Sequence, residues 1–387
     1  MMTVSFNNSR LLACLVFLLM GSMDGFGHTL DKTSLAIGVF GLFHPKTLEI
    51  MVHRPVLIEV QHESGENSHW VLVAGQKIMI QSCGSRVKLH FTENSGSRNW
   101  NVTAVQMAGQ STEYTLNLPG RIQRRFKGEL RVTADRDELR PQMLVDLEPA
   151  TEQILRAELA TCRQLEALKA QAILIRTYLL ATRGRHQRDG FDYCDTTHCQ
   201  FFRGVGEGPG IFADAVAATK GSVLTVQGRP FAPMYTAVCG GKTLVGSASD
   251  AQGMFHPVLC SYCATHPLFH WTSNADLRIF TEILRSHFSE KIESLLGMLR
   301  NVEDDDQSLA VKRRLRIQLG RQLGWNIIRS NRYHVTIGNA GVTIDGWGSG
   351  HNMGLCQAGA IEQARLGRRA EDLLNFYFPG AEIHQAE

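Results

Sequence analysis

The chain has 387 residues, 43% apolar and 20% charged, with a formal net charge of +3. That length allows two domains, or one large one with a proper core. There is no low-complexity tract and no obvious internal repeat, and so slight an excess of positive charge gives no argument for nucleic acid as a partner.

Behind Arg10 lies the apolar run Leu11-Leu-Ala-Cys-Leu-Val-Phe-Leu-Leu-Met20, followed by small residues ending in Gly25-Phe-Gly27. This is the pattern of a signal peptide over residues 1–27, cleaved near His28. The run is too short to span a bilayer. Cys14 opens it, whereas a lipidation box would close it. No later segment is apolar for long enough to cross, so the chain is expected to be exported (periplasmic, cell-wall or extracellular) and peripheral to a membrane at most. An uncleaved N-terminal anchor is the alternative.

Residues 28–118 read as a β-rich region. Short runs such as Leu57–Val60, Trp70–Val73, Lys77–Ile80, Arg86–Phe91 and Tyr114–Leu118 are bounded by Gly, Ser, Asn or Pro, as strands of a meander are. Further strands are expected at Leu130–Val132 and Met143–Val145. A helix from Glu166 to the region of Gly184 follows. Glu166, Lys169, Ile173, Arg176 and Thr177 share one narrow strip of it and the rest is mostly Ala, Leu and Ile, so it should be buried with a single polar edge. Glu158 sits on a break just before this helix. A carboxylate there is a candidate acid and base, with Leu155, Leu159 and the helix as apolar surroundings; the plain alternative is a solvated glutamate.

Eight cysteines follow Cys14, and disulfides are the default for an exported chain. Cys194, His198 and Cys199 crowd into six residues with His186 upstream. Those donors suit a structural zinc ion; a Cys194–Cys199 disulfide and free core thiols are the alternatives. Cys260-Ser-Tyr-Cys263, between His256 and His266, reads as a local disulfide or structural clip. Strands are expected at Ser222–Val226 and Met234–Val238, one amphipathic helix over Ala275–Arg300, a solvated acidic loop at 303–306, a strand at Tyr333–Ile337 and a terminal helix after Gly354. Strands and helices do not alternate one for one, so the class is α+β: a β-rich N-terminal region, then a mixed α+β domain over 119–387 with a central buried helix.

Five blocks carry a resemblance. They are Leu118-Pro-Gly-Arg-Ile-Gln-Arg-Arg-Phe-Lys-Gly128, Glu158 with Glu166-Ala-Leu-Lys-Ala-Gln171, Asp195-Thr-Thr-His-Cys-Gln200, Cys239-Gly-Gly-Lys-Thr243 and Gly348-Ser-Gly-His-Asn-Met-Gly-Leu-Cys-Gln-Ala-Gly-Ala360. In this order they resemble the stage II sporulation protein D (SpoIID) family, over roughly residues 118–380. Two departures stand out. The family's Glu-Met-Pro reads Glu158-Leu-Ala here, and its Gly-His-Gly-Val-Gly-Met-Ser-Gln reads Gly350-His-Asn-Met-Gly-Leu-Cys-Gln357.

The resemblance implies a peptidoglycan lytic transglycosylase with Glu158 as catalytic acid, or a non-catalytic wall-binding protein that enhances a partner amidase. One carboxylate suffices for the former because the muramic acid's own 6-hydroxyl is the nucleophile; no cofactor is required. Lys169 and Arg176 are expected to face substrate oxygens or to pair with Glu166, and His351 and Gln357 to bind substrate or backbone. Tyr235 and Trp347 suit a sugar-stacking wall or the core. Arg121, Arg124 and Arg125 suit a solvated turn that touches the anionic polymer. A thiol hydrolase using Cys356 and His351 lacks a third orienting residue. A zinc hydrolase at Cys194/His198/Cys199 would need an open coordination position.

Overall fold

The computed structural model describes residues 34–93, 96–109, 112–206, 210–245, 256–301, 305–338 and 341–386. The expected signal peptide lies outside them, as do residues 303 and 304 of the acidic run, whose last two residues, Asp305 and Asp306, cap and open a helix rather than a loop. In chain order the first strands are β1 (Ser34–Gly38), β2 (Thr47–Val52), β3 (Val56–Gln61), β4 (Asn67–Leu72), β5 (Lys77–Cys83), β6 (Arg86–Glu93), β7 (Gly96–Val102), β8 (Ala104–Ala108), β9 (Glu113–Leu118), β10 (Ile122–Lys127), β11 (Glu129–Asp135) and β12 (Glu138–Asp146). Helices α1 (Leu147–Glu158) and α2 (Leu165–Ala181), strand β13 (Tyr193–Cys194) and helix α3 (Ile211–Ala218) follow. The chain continues through β14 (Ser222–Val226), β15 (Arg229–Pro230), β16 (Tyr235–Thr236), β17 (His270–Ala275), α4 (Leu277–His287), α5 (Ile292–Arg300) and α6 (Asp306–Leu323). It closes with β18 (Arg332–Gly338), β19 (Gly341–Trp347), β20 (Leu355–Cys356), α7 (Gln357–Arg365), α8 (Ala370–Tyr377) and β21 (Glu382–Gln385). The class is α+β, as expected.

Period-two alternation builds the first two sheets. Leu48, Ile50 and Val52 of β2 and Val56, Ile58 and Val60 of β3 point inward, with half-buried residues between them. One sheet runs β13-β1-β12-β11-β8-β3-β4 and the other β10-β9-β2-β5-β6-β7. They face each other across a shared core that continues into α1 and α2. The core therefore does not divide at residue 118: β1, β3, β4 and β8 lie in one sheet with β11, β12 and β13. A second core belongs to the sheet β17-β19-β18 and the helices α4 to α6, built on Trp271, Phe280, Leu284, Leu295, Leu315 and Ile344.

The single helix expected over 275–300 is two. The carboxylate of Asp276 caps α4 by accepting from the Arg278 and Ile279 N–H groups, and Phe288 turns extended to end it. Helix α6 was not anticipated. Its sequence is charged on most sides and only a thin stripe, with Leu309, Leu315 and Leu319, is buried. Of the expected strand Met234–Val238, only Tyr235–Thr236 pairs as β16, parallel to β20.

Helix α2 is the central buried element, covered by α1, α3, α7, α8 and β14. Its polar edge is used internally. Arg176, fully buried, forks onto Glu148 of α1 through Nε (2.9 Å) and Nη2 (2.7 Å), and Nη1 donates to the Ser222 carbonyl at 2.8 Å. Thr177 accepts from the Leu224 N–H at 2.8 Å. Glu166 binds Lys169 at 2.7 Å and accepts the Ala370 N–H that opens α8 at 2.9 Å. The expectation that Arg176 faces substrate is thus corrected: all three of its nitrogens are engaged in tying α2 to α1 and β14. Lysine cannot copy a fork to a carboxylate. Arg176→Lys should lower the unfolding free energy by about 2 kcal/mol, the scale of a lost charge-assisted hydrogen bond or more. An unchanged urea midpoint would refute this role.

Candidate functional site around Glu158

Glu158 is the last residue of α1, and so ends a helix rather than standing on a break before one. The helix closes at Leu159, whose N–H returns to the Leu155 carbonyl at 3.0 Å. Leu155 and Leu159, one turn before and one residue after Glu158, are both buried. The negative end of a helix dipole also opposes a carboxylate charge at this position.

Two donors from separate segments meet the carboxyl. The Phe201 N–H reaches Oε1 at 3.0 Å and the Tyr235 hydroxyl reaches the same oxygen at 3.1 Å. Burial pushes the Glu158 pKa above the ordinary glutamate value, and the two hydrogen bonds offset only part of that. Burial and the neighbouring Glu158 charge push Tyr235 upward in turn, so the phenol keeps its proton and donates. Lys169 and Arg176, the cations that could have pulled Glu158 down, are paired with Glu166 and Glu148 instead.

Each donor is carried by a braced segment. Phe201 follows the loop of Cys194, His198 and Cys199, which is stitched to β1 by pairing of Cys194 with Gly38. His186 Nε2 lies 3.2 Å from His198 Nδ1, and both Cys194 Sγ and Cys199 Sγ lie 3.8 Å from that same nitrogen. The four ligand atoms all fall within 4.8 Å of one another. His186 Nδ1 is held by Asp189 at 2.7 Å, which leaves Nε2 turned toward the thiols. Asp195, next along, is buried, accepts the Phe40 N–H at 3.1 Å and pairs with Arg124 at 3.0 Å. Arg124 therefore serves the interior on strand β10. Arg125 pairs with Glu113 and Arg121 binds the Phe43 carbonyl, so these arginines do not form one solvated turn.

Tyr235 is carried by β16, paired through Leu355 to the glycine-rich segment 348–357. Asn352, where the family pattern has Gly, is fully buried with φ +62°. Asn tolerates that left-handed conformation better than most residues. Its side chain repays the substitution: Oδ1 accepts the Asn331 N–H, and Nδ2 donates to the Cys239 and Trp347 carbonyls. His351 is half-buried, with Nδ1 accepting the Met353 N–H at 3.0 Å. Trp347 lies between the rings of His270 and His334 rather than beside Tyr235. Cys356 is fully buried, with the N–H groups of Cys239 and Gly359 aimed at its sulfur, which denies a substrate the access a nucleophile needs.

Four buried glutamine amides make fewer hydrogen bonds than they can, one of them Gln153, whose Oε1 is unpartnered among the described residues. Gln171 and Gln200 have both amide atoms unpartnered among the described residues, and Gln357 its Nε2. Gln200 adjoins Phe201, and Gln357 follows the strand paired with Tyr235. The sequence singled out Gln357 alone. It also missed Phe201, whose contribution is a backbone N–H that no side-chain pattern reports.

A glutamate with a raised native pKa stabilises the fold only while protonated. That contribution is present below the unfolded-state pKa and is lost as pH rises through the native value. Glu158→Gln should therefore be more stable than the wild type at pH 7, by on the order of 1 kcal/mol, and the gap should close toward pH 4. Urea midpoints of both proteins from pH 4 to pH 8 check this; a constant gap, or one that widens on acidification, contradicts it.

Residues 136–226 match the family model of the Stage II sporulation protein, SpoIID. That stretch holds Glu158, α2 and the Cys/His cluster. An uncharacterized protein of Brachyspira hyodysenteriae is similar at 27% identity over 252 residues, covering 62% of this chain and 67% of its own. The acid helix, its partner helix and the Phe201 loop all lie inside the stretch that is similar to the SpoIID family.

Proposed function

We propose that the chain is a peptidoglycan lytic transglycosylase in which Glu158 is the one acid and base. The observation that carries this is the state of that carboxyl: half-buried, raised in pKa and, among the described residues, held through Oε1 alone by Phe201 and Tyr235. Both donors on one oxygen leave Oε2 to carry and transfer the proton. A general acid working near neutral pH needs such a shift.

The reaction balances without water. Protonated Glu158 gives its proton to the glycosidic oxygen as the bond to muramic C1 breaks. The 6-hydroxyl of the same muramic residue attacks C1, and the carboxylate takes up the hydroxyl proton. The products are a 1,6-anhydromuramic end and a free 4-hydroxyl on the departing sugar. The intramolecular nucleophile supplies the proximity advantage that a second carboxylate supplies elsewhere.

His186, Cys194, His198 and Cys199 offer two imidazoles and two thiols, a set that fills a tetrahedral zinc shell with no position open for substrate, so the zinc would be structural. No helix among the described residues is long and apolar enough to cross a membrane. Export directed by residues 1–27 completes the reading, with peptidoglycan glycan strands as substrate.

Glu158→Gln should bind sacculi as the wild type does and release no products with anhydromuramic ends, since Gln cannot give and regain a proton. Muropeptide analysis of sacculi digested with both proteins measures this. Anhydro products from the variant at the wild-type rate would refute the assignment. Wild-type protein that binds sacculi, releases nothing and accelerates a cell-wall amidase would replace it with the enhancer reading.

A further inference from the structure

A second cysteine cluster lies outside the Cys/His site. Cys239, Cys260, Cys263 and Cys356 come from three distant stretches, and their four sulfurs all fall within 4.8 Å of one another. All four are at most 1% exposed. We propose that these four residues bind a single zinc ion as a structural tetrathiolate site, which locks the segment carrying Tyr235 against Glu158.

The geometry is that of thiolates around one ion. With Zn–S bonds of about 2.3 Å, sulfurs at the corners of a tetrahedron stand about 3.8 Å apart. Cys239 Sγ and Cys263 Sγ are 3.5 Å apart, well beyond a covalent S–S bond of about 2.05 Å. The four sulfurs are mutually close rather than sorted into two pairs, and all four residues are free thiols. Cys260 and Cys263 have the two-residue spacing of a zinc chelate and sit on a turn of 3-10 helix. Their expected reading as a local disulfide does not account for Cys239 and Cys356 beside them.

The surroundings suit charged sulfur. The Cys239 and Gly359 N–H groups donate to Cys356 Sγ at 3.2 and 3.3 Å, and the Tyr377 hydroxyl lies 3.2 Å from Cys260 Sγ. Such outer donors tune and orient metal-bound thiolates. Gly359 permits this closeness: a Cβ there would stand 2.7 Å from Cys260 Sγ and 2.3 Å from the Tyr377 hydroxyl. Gly240 and Gly241, both at positive φ, turn the chain after Cys239 so that the Gly241 carbonyl accepts the Cys260 N–H at 2.9 Å.

The consequence is mechanical. Cys356 ends β20, which pairs with β16 and so with Tyr235, and it caps α7, which begins at Gln357. Burial on all sides leaves no position for substrate, so the ion would perform no chemistry.

The test is metal content and ligand type in the full chain without a histidine tag. Cys194→Ser/Cys199→Ser removes the Cys/His cluster and should retain one zinc per chain. X-ray absorption of that variant should show four sulfurs at about 2.3 Å, and cobalt in place of zinc should give the intense charge-transfer bands of a tetrathiolate. Adding Cys260→Ser/Cys263→Ser should abolish the bound metal. Should the first variant not fold, the wild type decides: an average of three sulfurs per zinc with two ions bound, or four with one, supports the site. An average of two sulfurs, a metal other than zinc, or disulfides at these four cysteines in protein purified under argon overturns it. None of these readouts depends on cleavage of peptidoglycan.

Discussion

One carboxyl group, Glu158, organises this molecule. Its Oε1 accepts a backbone N–H from the Phe201 loop and a phenol from β16, segments 34 residues apart in sequence. A buried carboxyl is costly to charge, and only a rigid surround keeps water from relieving that cost. The two sheets hold α1 in place, Arg176 and Glu148 tie α1 to α2, and strand pairing to β1 and β20 anchors the two segments that supply the donors.

Much of the fold was legible because burial follows period. The alternating runs of β3, β5 and β9 announce strands, and the near-continuous apolar circumference of α2 announces a buried helix. Tertiary context overrode pattern elsewhere. The polar strip of α2 reads as a surface facing ligand, yet Glu148 and Ser222 arrive from other elements to satisfy Arg176 inside the protein. Sequence spacing cannot reveal a partner 28 residues upstream. The helix that ends at Glu158 goes unread in the sequence because Pro149 and the charged residues Glu148, Glu152 and Arg156 dilute its periodicity, although a proline in the first turn is compatible with a helix.

The candidate site was legible in its acid and illegible in its supports. Glu158 stands out as a carboxylate among apolar neighbours. Phe201 acts through its main chain, and Tyr235 acts through its hydroxyl, where its ring suggested stacking. Cys356 illustrates the same limit. In sequence it lies five residues from His351 and suggests a nucleophile, whereas in space its neighbours are three other buried thiols. Clusters assembled from residues 239, 260–263 and 356 are invisible to any reading of local spacing.

The most direct measurement is the titration of the Glu158 carboxyl itself, by carbon-13 NMR of the full chain labelled at glutamate Cδ, with the Glu158→Gln spectrum giving the assignment. The account predicts a midpoint above the ordinary glutamate value of about 4.3, moving further upward in Tyr235→Phe as one stabilising donor is lost. A midpoint at or below that value in the wild type would mean a carboxylate already ionised at neutral pH, and would contradict Glu158 as the proton donor.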